Sequence, residues 1–308
     1  GWHPETIAKK GSESSVLVVG AGPAGLEAAR ALGQRGYRVT LAEATRELGG
    51  RVTRESTLPG LGEWLRVRDY RVQQIDAMSN VEVFRESDLN VDEVLAVEAD
   101  HIVISTGATW RADGFGRNHP QPLTTLSPSA QILTPDDVMA GRLPDGPTVI
   151  FDDDSFYMGG VIAEHVRREN VPVTLVTPEN VVSDWCEHTS EQYQVQKHLL
   201  ELGVRIETAH SLLAYDGREV TICCTHTGRQ QSIEANALIM VTARSPRDEL
   251  YQSLKQRMES EAQTPFRSLR RIGDCEAPAI IAAAVYAGHR YAQELDREPD
   301  PDAPLRFE

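Results

Sequence analysis

The sequence is short of cysteine. Its 308 residues contain four, Cys186, Cys223, Cys224 and Cys275, and no Cys-x-x-Cys pair. That excludes a redox dithiol and leaves no nest of thiolates for an iron–sulfur cluster or a structural zinc. Cys223 and Cys224 are neighbours in a strand-like run, which sends their side chains to opposite faces. All four read as reduced, packed thiols of a cytoplasmic protein. The histidines are equally dispersed, with no His-x-x-x-His or His-Glu pair, so no metal is assigned. Basic residues are outnumbered: 31 Lys and Arg stand against 46 Asp and Glu, a net charge of −15. Such a chain is a poor match for nucleic acid or anionic lipid. No apolar run approaches the roughly 18 residues a membrane span needs. The first residues, Gly1-Trp2-His3-Pro4-Glu5, carry neither an initiator Met nor a signal-peptide pattern and read as the interior of a longer chain.

What is present is concentrated in Val16 to Gly25, VLVVGAGPAG. An apolar run reads as a buried strand, breaks at Gly20, and passes into a helical pattern from Leu26 to Leu32. Gly20 suits a tight strand-to-helix turn, Gly22 lets a pyrophosphate approach the backbone, and Gly25 lets the helix lie close on the strand. Pro23 fits the first helical position, with Ala24 beside it, and the free N–H groups and positive dipole end then face phosphates. A second strand, Arg38 to Ala42, ends at Glu43, 23 residues after Gly20. A carboxylate there accepts hydrogen bonds from ribose hydroxyls. Leu48-Gly49-Gly50-Arg51 follows; Gly50 reads as a close backbone approach and Arg51 as a partner for a phosphate or a ring edge. A later strand, Ala99 to Ser105, closes on Thr106-Gly107, which places backbone beside the same crevice. The last strand, Ser268 to Ile272, ends in Gly273-Asp274. Asp274 reads either as a ligand to a ribityl or pyrophosphate group or as a cap on the helix that follows. The arginines Arg66, Arg68 and Arg71, on a helix over Glu63 to Met78, read as a solvated face.

A second strand–helix–strand unit begins at Thr148, with a helix over Gly159 to Asn170 and a strand over Pro172 to Val176. Its turn lacks the glycines of a dinucleotide site. Phe151-Asp152-Asp153-Asp154-Ser155-Phe156 stands there instead, and Gly159 and Gly160 come too late for the turn. Asp152 and Asp154 put bulk and like charge where phosphates would sit, so no NAD(P)H is expected. Leu212 to Glu234 reads as an antiparallel meander with turns at Asp216-Gly217 and Thr227-Gly228. The fold class expected is α/β, with two three-layer Rossmann-like dinucleotide-binding domains, the second inserted into the first. The first domain is expected over residues 14–146 plus 263–296, and the second, with its degenerate nucleotide loop, over 147–243. Residues 1–13 and 297–308 are expected as lead-in and tail.

Several stretches resemble one family. They are GWHPE at 1–5, VLVVGAGPAGLEAAR at 16–30, LPGLGEW at 58–64, RDYR at 68–71, IGDCEAP at 272–278 and AGHR at 287–290. The whole chain resembles the C-terminal part of the trimethylamine, dimethylamine and histamine dehydrogenases, and more distantly 2,4-dienoyl-CoA reductase. The resemblance implies an N-terminal TIM barrel, absent from this chain, that carries FMN, a 4Fe-4S cluster and the amine-oxidising site. It also implies an electron-transferring flavoprotein as a partner. The chain itself is then an adenine-nucleotide module, ADP or FAD, without catalysis of its own. The alternative is a free-standing FAD-dependent NAD(P)H reductase built like thioredoxin reductase, against which the missing Cys-x-x-Cys and the acidic second loop argue.

Overall fold

The computed structural model describes residues 7–260 and 266–297. The GWHPE stretch and most of the expected tail lie outside the described residues. Two compact units divide the chain: Gly1–Thr53, Trp64–Ala108 and Pro246–Glu308 form one, and Arg54–Glu63 with Thr109–Ser245 the other. The segments 54–63 and 109–146, expected in the first domain, group with the second unit.

The first unit is built on five parallel strands. Ser15–Val19 lies beside Arg38–Ala42, which pairs onward with Val81–Phe84; on its other side Ser15–Val19 pairs with His101–Ile104, which pairs with Ser268–Arg271. All five residues of Ser15–Val19 are buried, as the middle strand of a sheet covered on both faces must be. Their alternation divides the core. Val16 and Val18 face the helices Pro23–Arg35, Leu65–Asp76 and Ile281–Glu294; Leu17 and Val19 face Val91–Ala96 and Glu249–Ser260. That is a three-layer α/β arrangement. The helix Pro23–Arg35 stops at Gly36, whose φ of +98° and N–H to the Leu32 and Gly33 carbonyls make a left-handed C-cap. Two short helices, Arg51–Glu55 and Val91–Ala96, come from stretches that carried no helical expectation. The second had a local signal: Asn90 and Glu93 form a complete capping box.

In the second unit five parallel strands run in the order Ile132–Leu133, Ala237–Val241, Thr148–Asp152, Val173–Val176 and Arg205–Glu207. An antiparallel sheet, His210–Tyr215, Glu219–Cys224 and Gln230–Glu234, covers one face through Leu212, Tyr215, Val220, Ile222 and Ile233. Its turns fall at Gly217 (φ +100°) and Gly228 (φ +69°), both in the conformation that glycine adopts freely. Among the described residues no helix is long and apolar enough to cross a membrane.

Candidate nucleotide site

Each glycine of the first turn is glycine for a different reason. Gly20 has φ +98°, and a Cβ on it would fall 2.5 Å from the Ser105 carbonyl oxygen. Gly25 has an ordinary conformation, but a Cβ there would lie 1.9 Å from the Gly20 carbonyl oxygen and 2.5 Å from Ser105 Oγ. Both are dictated by packing within the fold. Gly22 is not. Its φ is −71°, open to any residue, and a Cβ on it would meet no heavy atom within 4 Å. Gly22 is the N-cap and Pro23 the first helical residue; the first helical bond runs from Leu26 N–H to Gly22 O at 2.9 Å. The N–H groups of Ala24 and Gly25 come before the helix's own acceptors begin.

The remaining sequence-derived residues gather around this turn. Glu43 is buried, and its Oε2 accepts from the Ala21 N–H at 2.7 Å, inside the glycine turn. Its Oε1 accepts from the Thr45 N–H at 3.0 Å and hydroxyl at 2.8 Å. The Gly49–Gly50 pair folds onto the same turn: Gly49 N–H donates to Ala21 O at 2.8 Å, and a Cβ on Gly50, with φ +54°, would come 3.1 Å from Gly22 Cα. Arg51 does not project alone. Its Nη1 lies 3.2 Å from Asp274 Oδ2, and its Nη2 donates to Ala279 O at 3.3 Å. Burial raises the Asp274 carboxyl above the usual carboxylate range, with Arg51 and the Ala279 N–H pulling it part of the way back. Asp274 Oδ1 accepts from Ala279 N–H at 3.0 Å, ahead of the helix Ile281–Glu294, whose N-cap is Ile280. Asp274 is therefore neither the N-cap nor clear of the backbone before the helix. Gly273 meets the fingerprint helix closely, since a Cβ there would fall 2.6 Å from Ala24 Cβ.

Thr106 is turned away. Its hydroxyl donates to Arg247 O at 2.5 Å and lies 3.3 Å from Cys275 Sγ. Gly107, with φ +78° and open space at its Cβ position, accepts the Arg247 N–H at its carbonyl at 2.9 Å. Ser105, Ala21, Thr45 and Ala279 were not singled out from the sequence. The Ser105 hydroxyl reaches the Val19 carbonyl at 2.9 Å and the Gly20 carbonyl at 2.7 Å, fixing the turn from below. Only Thr45 had a legible signal, lying two residues after Glu43 where a short hydroxyl can return to a carboxylate.

The second unit's turn differs from expectation in where its acids point. Asp152 is fully buried, and its Oδ1 accepts from Ser155 N–H at 3.0 Å. Burial, reinforced by the neighbouring Asp154, pushes its carboxyl up to about 8. It is thus protonated and uncharged at neutral pH rather than an outward negative charge. Asp153, also buried, is held by the Asn118 N–H at 3.0 Å and amide at 2.7 Å. The chain turns at Ser155, a non-glycine residue with φ +61°. The helix begins at Tyr157, two residues earlier than expected, and ends at Arg168. Gly159 and Gly160 then have a use: a Cβ on Gly159 would lie 2.2 Å from Asp152 Oδ2, and one on Gly160 would lie 2.9 Å from Val195 Cγ1. Phe156 stacks on Trp185, ring centroids 5.2 Å apart and planes 7° from parallel, and the Arg117 guanidinium lies over both rings. Among the described residues no group of three or more His, Cys, Asp or Glu is placed to hold a metal.

Residues 14–136 match the family model described as pyridine nucleotide-disulphide oxidoreductase. Over its full length the chain is 34% identical to dimethylamine dehydrogenase from Hyphomicrobium sp. (strain x), of which it spans 45%. It also resembles the solved structure of histamine dehydrogenase from Rhizobium sp. 4-9, with 46% identity, a TM-score of 0.94, 99% of this chain and 47% of that one covered. The 6-hydroxypseudooxynicotine amine oxidase of Pseudomonas geniculata N1 matches with 39% identity and a TM-score of 0.91, over 96% of this chain and 44% of its own. The chain thus spans about half the length of the relatives it matches. It is homologous to the C-terminal part of the dimethylamine and histamine dehydrogenases, flavoprotein oxidoreductases with a Rossmann-like pyridine nucleotide-disulphide oxidoreductase domain.

Proposed function

We propose that the first unit holds an adenine nucleotide, ADP or the ADP half of FAD, as the nucleotide-binding part of an amine dehydrogenase-like oxidoreductase. One observation carries this reading: beyond the modest N-cap preference over alanine, nothing in the fold calls for glycine at position 22. Neither its conformation nor its packing demands it, while Gly20 and Gly25 are demanded by both or by one. The space in front of Gly22 lies at a helix N-terminus, where N–H groups and dipole favour a pyrophosphate. Gly20, Gly22, Pro23, Ala24, Gly25, Gly50, Gly107 and the main chain of Thr106 would supply backbone, Glu43 would accept from the ribose hydroxyls, and the Arg51–Asp274 pair would border the distal part of the ligand, with the Thr106 side chain turned away. Bound FAD would supply a flavin for electron transfer; ADP would supply none, and the unit would then serve as a nucleotide-stapled module.

The rest of the reading is supported by the resemblance to longer relatives. The nucleotide-binding domain is the first compact unit, and the domain with the degenerate nucleotide loop is the second. The parent protein adds an N-terminal barrel that holds FMN and a 4Fe-4S cluster, and passes its electrons to an electron-transferring flavoprotein. The second unit takes no NAD(P)H, because Asp152, Asp154 and Phe156 stand in its turn where a dinucleotide site needs glycines. The test is release of the ligand from the purified chain by denaturation. Flavin bands in the supernatant identify FAD and adenine absorbance alone identifies ADP. A chain that releases neither, and that calorimetry shows to bind neither ADP nor FAD, overturns the proposal.

A further inference from the structure

Three of the family-like stretches have no part in the nucleotide site as described: the Glu27 region of the fingerprint helix, RDYR at 68–71 and AGHR at 287–290. The fold brings one residue from each to a single point. Glu27 sits one turn into the fingerprint helix and is 3% exposed. Its Oε1 accepts from Arg30 Nη2 at 2.5 Å and from His289 Nδ1 at 2.8 Å. Its Oε2 accepts from Arg30 Nε at 3.1 Å and from Arg71 Nε at 2.7 Å. Arg30 belongs to the same helix; Arg71 arrives from Leu65–Asp76 and His289 from Ile281–Glu294. Arg71 is not the solvated residue expected from sequence, since its side chain is 13% exposed. The carboxylate only accepts, so His289 Nδ1 carries the proton; Gln293 Nε2, 3.3 Å from His289 Nε2, donates to the other ring nitrogen. Burial raises the Glu27 carboxyl, but Arg30, His289 and Arg71 together outweigh it and hold the group below the usual carboxylate range.

The last helix touches the fingerprint at a second place. A Cβ on Gly288 would come 2.1 Å from Ala24 O and 3.0 Å from Ala28 N, so the two backbones pack without side chains between them. Such a contact has no directional preference along the helix axes. A buried carboxylate met from three directions has one. Its desolvation is costly, and apolar residues of equal volume would serve stability as well. What the cluster adds is a fixed position for the helix whose first N–H groups face the phosphates.

We propose that Glu27 is a positioning residue of the nucleotide site, holding the fingerprint helix against the last helix through His289 and against Leu65–Asp76 through Arg71. The proposal rests on the nucleotide reading above. It acts through the aim of the turn at Gly22 to Gly25, so it bears on the pyrophosphate and not on the adenosine.

The test is calorimetric titration of the purified 308-residue chain with ADP and, in competition, with adenosine, beside unfolding midpoints of the ligand-free proteins. His289→Ala removes one arm, His289→Asn keeps an N–H close to the place of Nδ1, and Glu27→Gln removes the charge. In His289→Ala the ADP affinity is expected to fall about tenfold, with adenosine affinity unchanged. His289→Asn is expected to restore most of it at an unfolding midpoint equal to that of the alanine variant. Should Glu27→Gln not fold, the two His289 variants decide the matter alone. Unchanged ADP affinity in His289→Ala, or equal losses for ADP and adenosine that follow the midpoint, overturns the positioning role and leaves the nucleotide reading intact. A parent chain that binds neither ADP nor FAD overturns both.

Discussion

Gly22→Ala and Gly25→Ala add the same methyl group three residues apart and should have opposite consequences. At position 22 the backbone is ordinary, φ −71°, and the new Cβ has no heavy atom within 4 Å. Loss of chain freedom in the unfolded state favours alanine by about 0.4–1 kcal/mol. The N-cap preference for glycine over alanine opposes it by a comparable amount, about 1 kcal/mol. The unfolding midpoint of the ligand-free chain should therefore stay within about 2 °C of the parent. The methyl stands where the pyrophosphate must approach. Losing one charge-assisted hydrogen bond costs about 1.5–3 kcal/mol, which lowers ADP affinity about tenfold to a hundredfold. At position 25 the Cβ would be 1.9 Å from the Gly20 carbonyl oxygen, so helix and strand must separate. Overpacking of this kind costs about 1–3 kcal/mol, or a fall of roughly 2–10 °C in the midpoint. Scanning calorimetry without ligand and titration calorimetry with ADP read the two effects separately. Parental ADP affinity in Gly22→Ala would refute the reasoning, because the open space would then belong to no ligand. A midpoint loss in Gly22→Ala equal to that of Gly25→Ala would refute it from the other side, by making Gly22 a packing residue.

Other expectations follow from the same geometry. The Asp152 carboxyl is raised from 3.8 to about 8 in the native state. Between those values the folded chain holds a proton that the unfolded chain has lost, so this group's contribution is complete at low pH and is lost as pH rises to about 8. The slope is up to about 1.4 kcal/mol per pH unit; Asp152→Asn, neutral throughout, removes it, and a stability gap between the two that stays constant by urea unfolding from pH 5 to 7.5 would exclude the assignment. Glu43→Gln places an amide N–H against a donor, either Ala21 N–H or the Thr45 pair. A loss of about 1–2 kcal/mol in stability and about tenfold in ADP affinity is expected, and unchanged affinity by calorimetry would remove Glu43 from the site. Fluorescence titration with NADH and NADPH is expected to show no micromolar binding; saturation in that range would disprove the occluded second turn.

The site proposed in the first unit could be read from the sequence because its elements are local. Strand, glycine turn, helix and terminal carboxylate are consecutive, and Gly20, Gly22, Gly25 and Glu43 each have a role set by backbone geometry a few residues away. The sequence assigned the tight turn to Gly20, the pyrophosphate approach to Gly22 and the helix packing to Gly25; what it did not carry is the source of the crowding, which is Ser105, far along the chain, at Gly20, and the Gly20 carbonyl together with Ser105 at Gly25. Contacts between distant segments leave no periodic trace either: the Arg51–Asp274 ion pair, the hydrogen bond from the Ala21 N–H to Glu43, and the meeting of Glu27 with Arg71 and His289. In the acidic turn, Asp152 and Asp154 were read as charges standing where phosphates would sit. Sequence shows charge at its unfolded value, whereas burial decides whether a carboxyl stays ionised and which way it points. Composition and pattern by themselves determined the α/β class and the strand, glycine turn and helix that open the first unit. Only the tertiary structure decided which charges are buried, which arginine is packed away from solvent and that the space in front of Gly22 is open, because each depends on desolvation and on contacts across the fold.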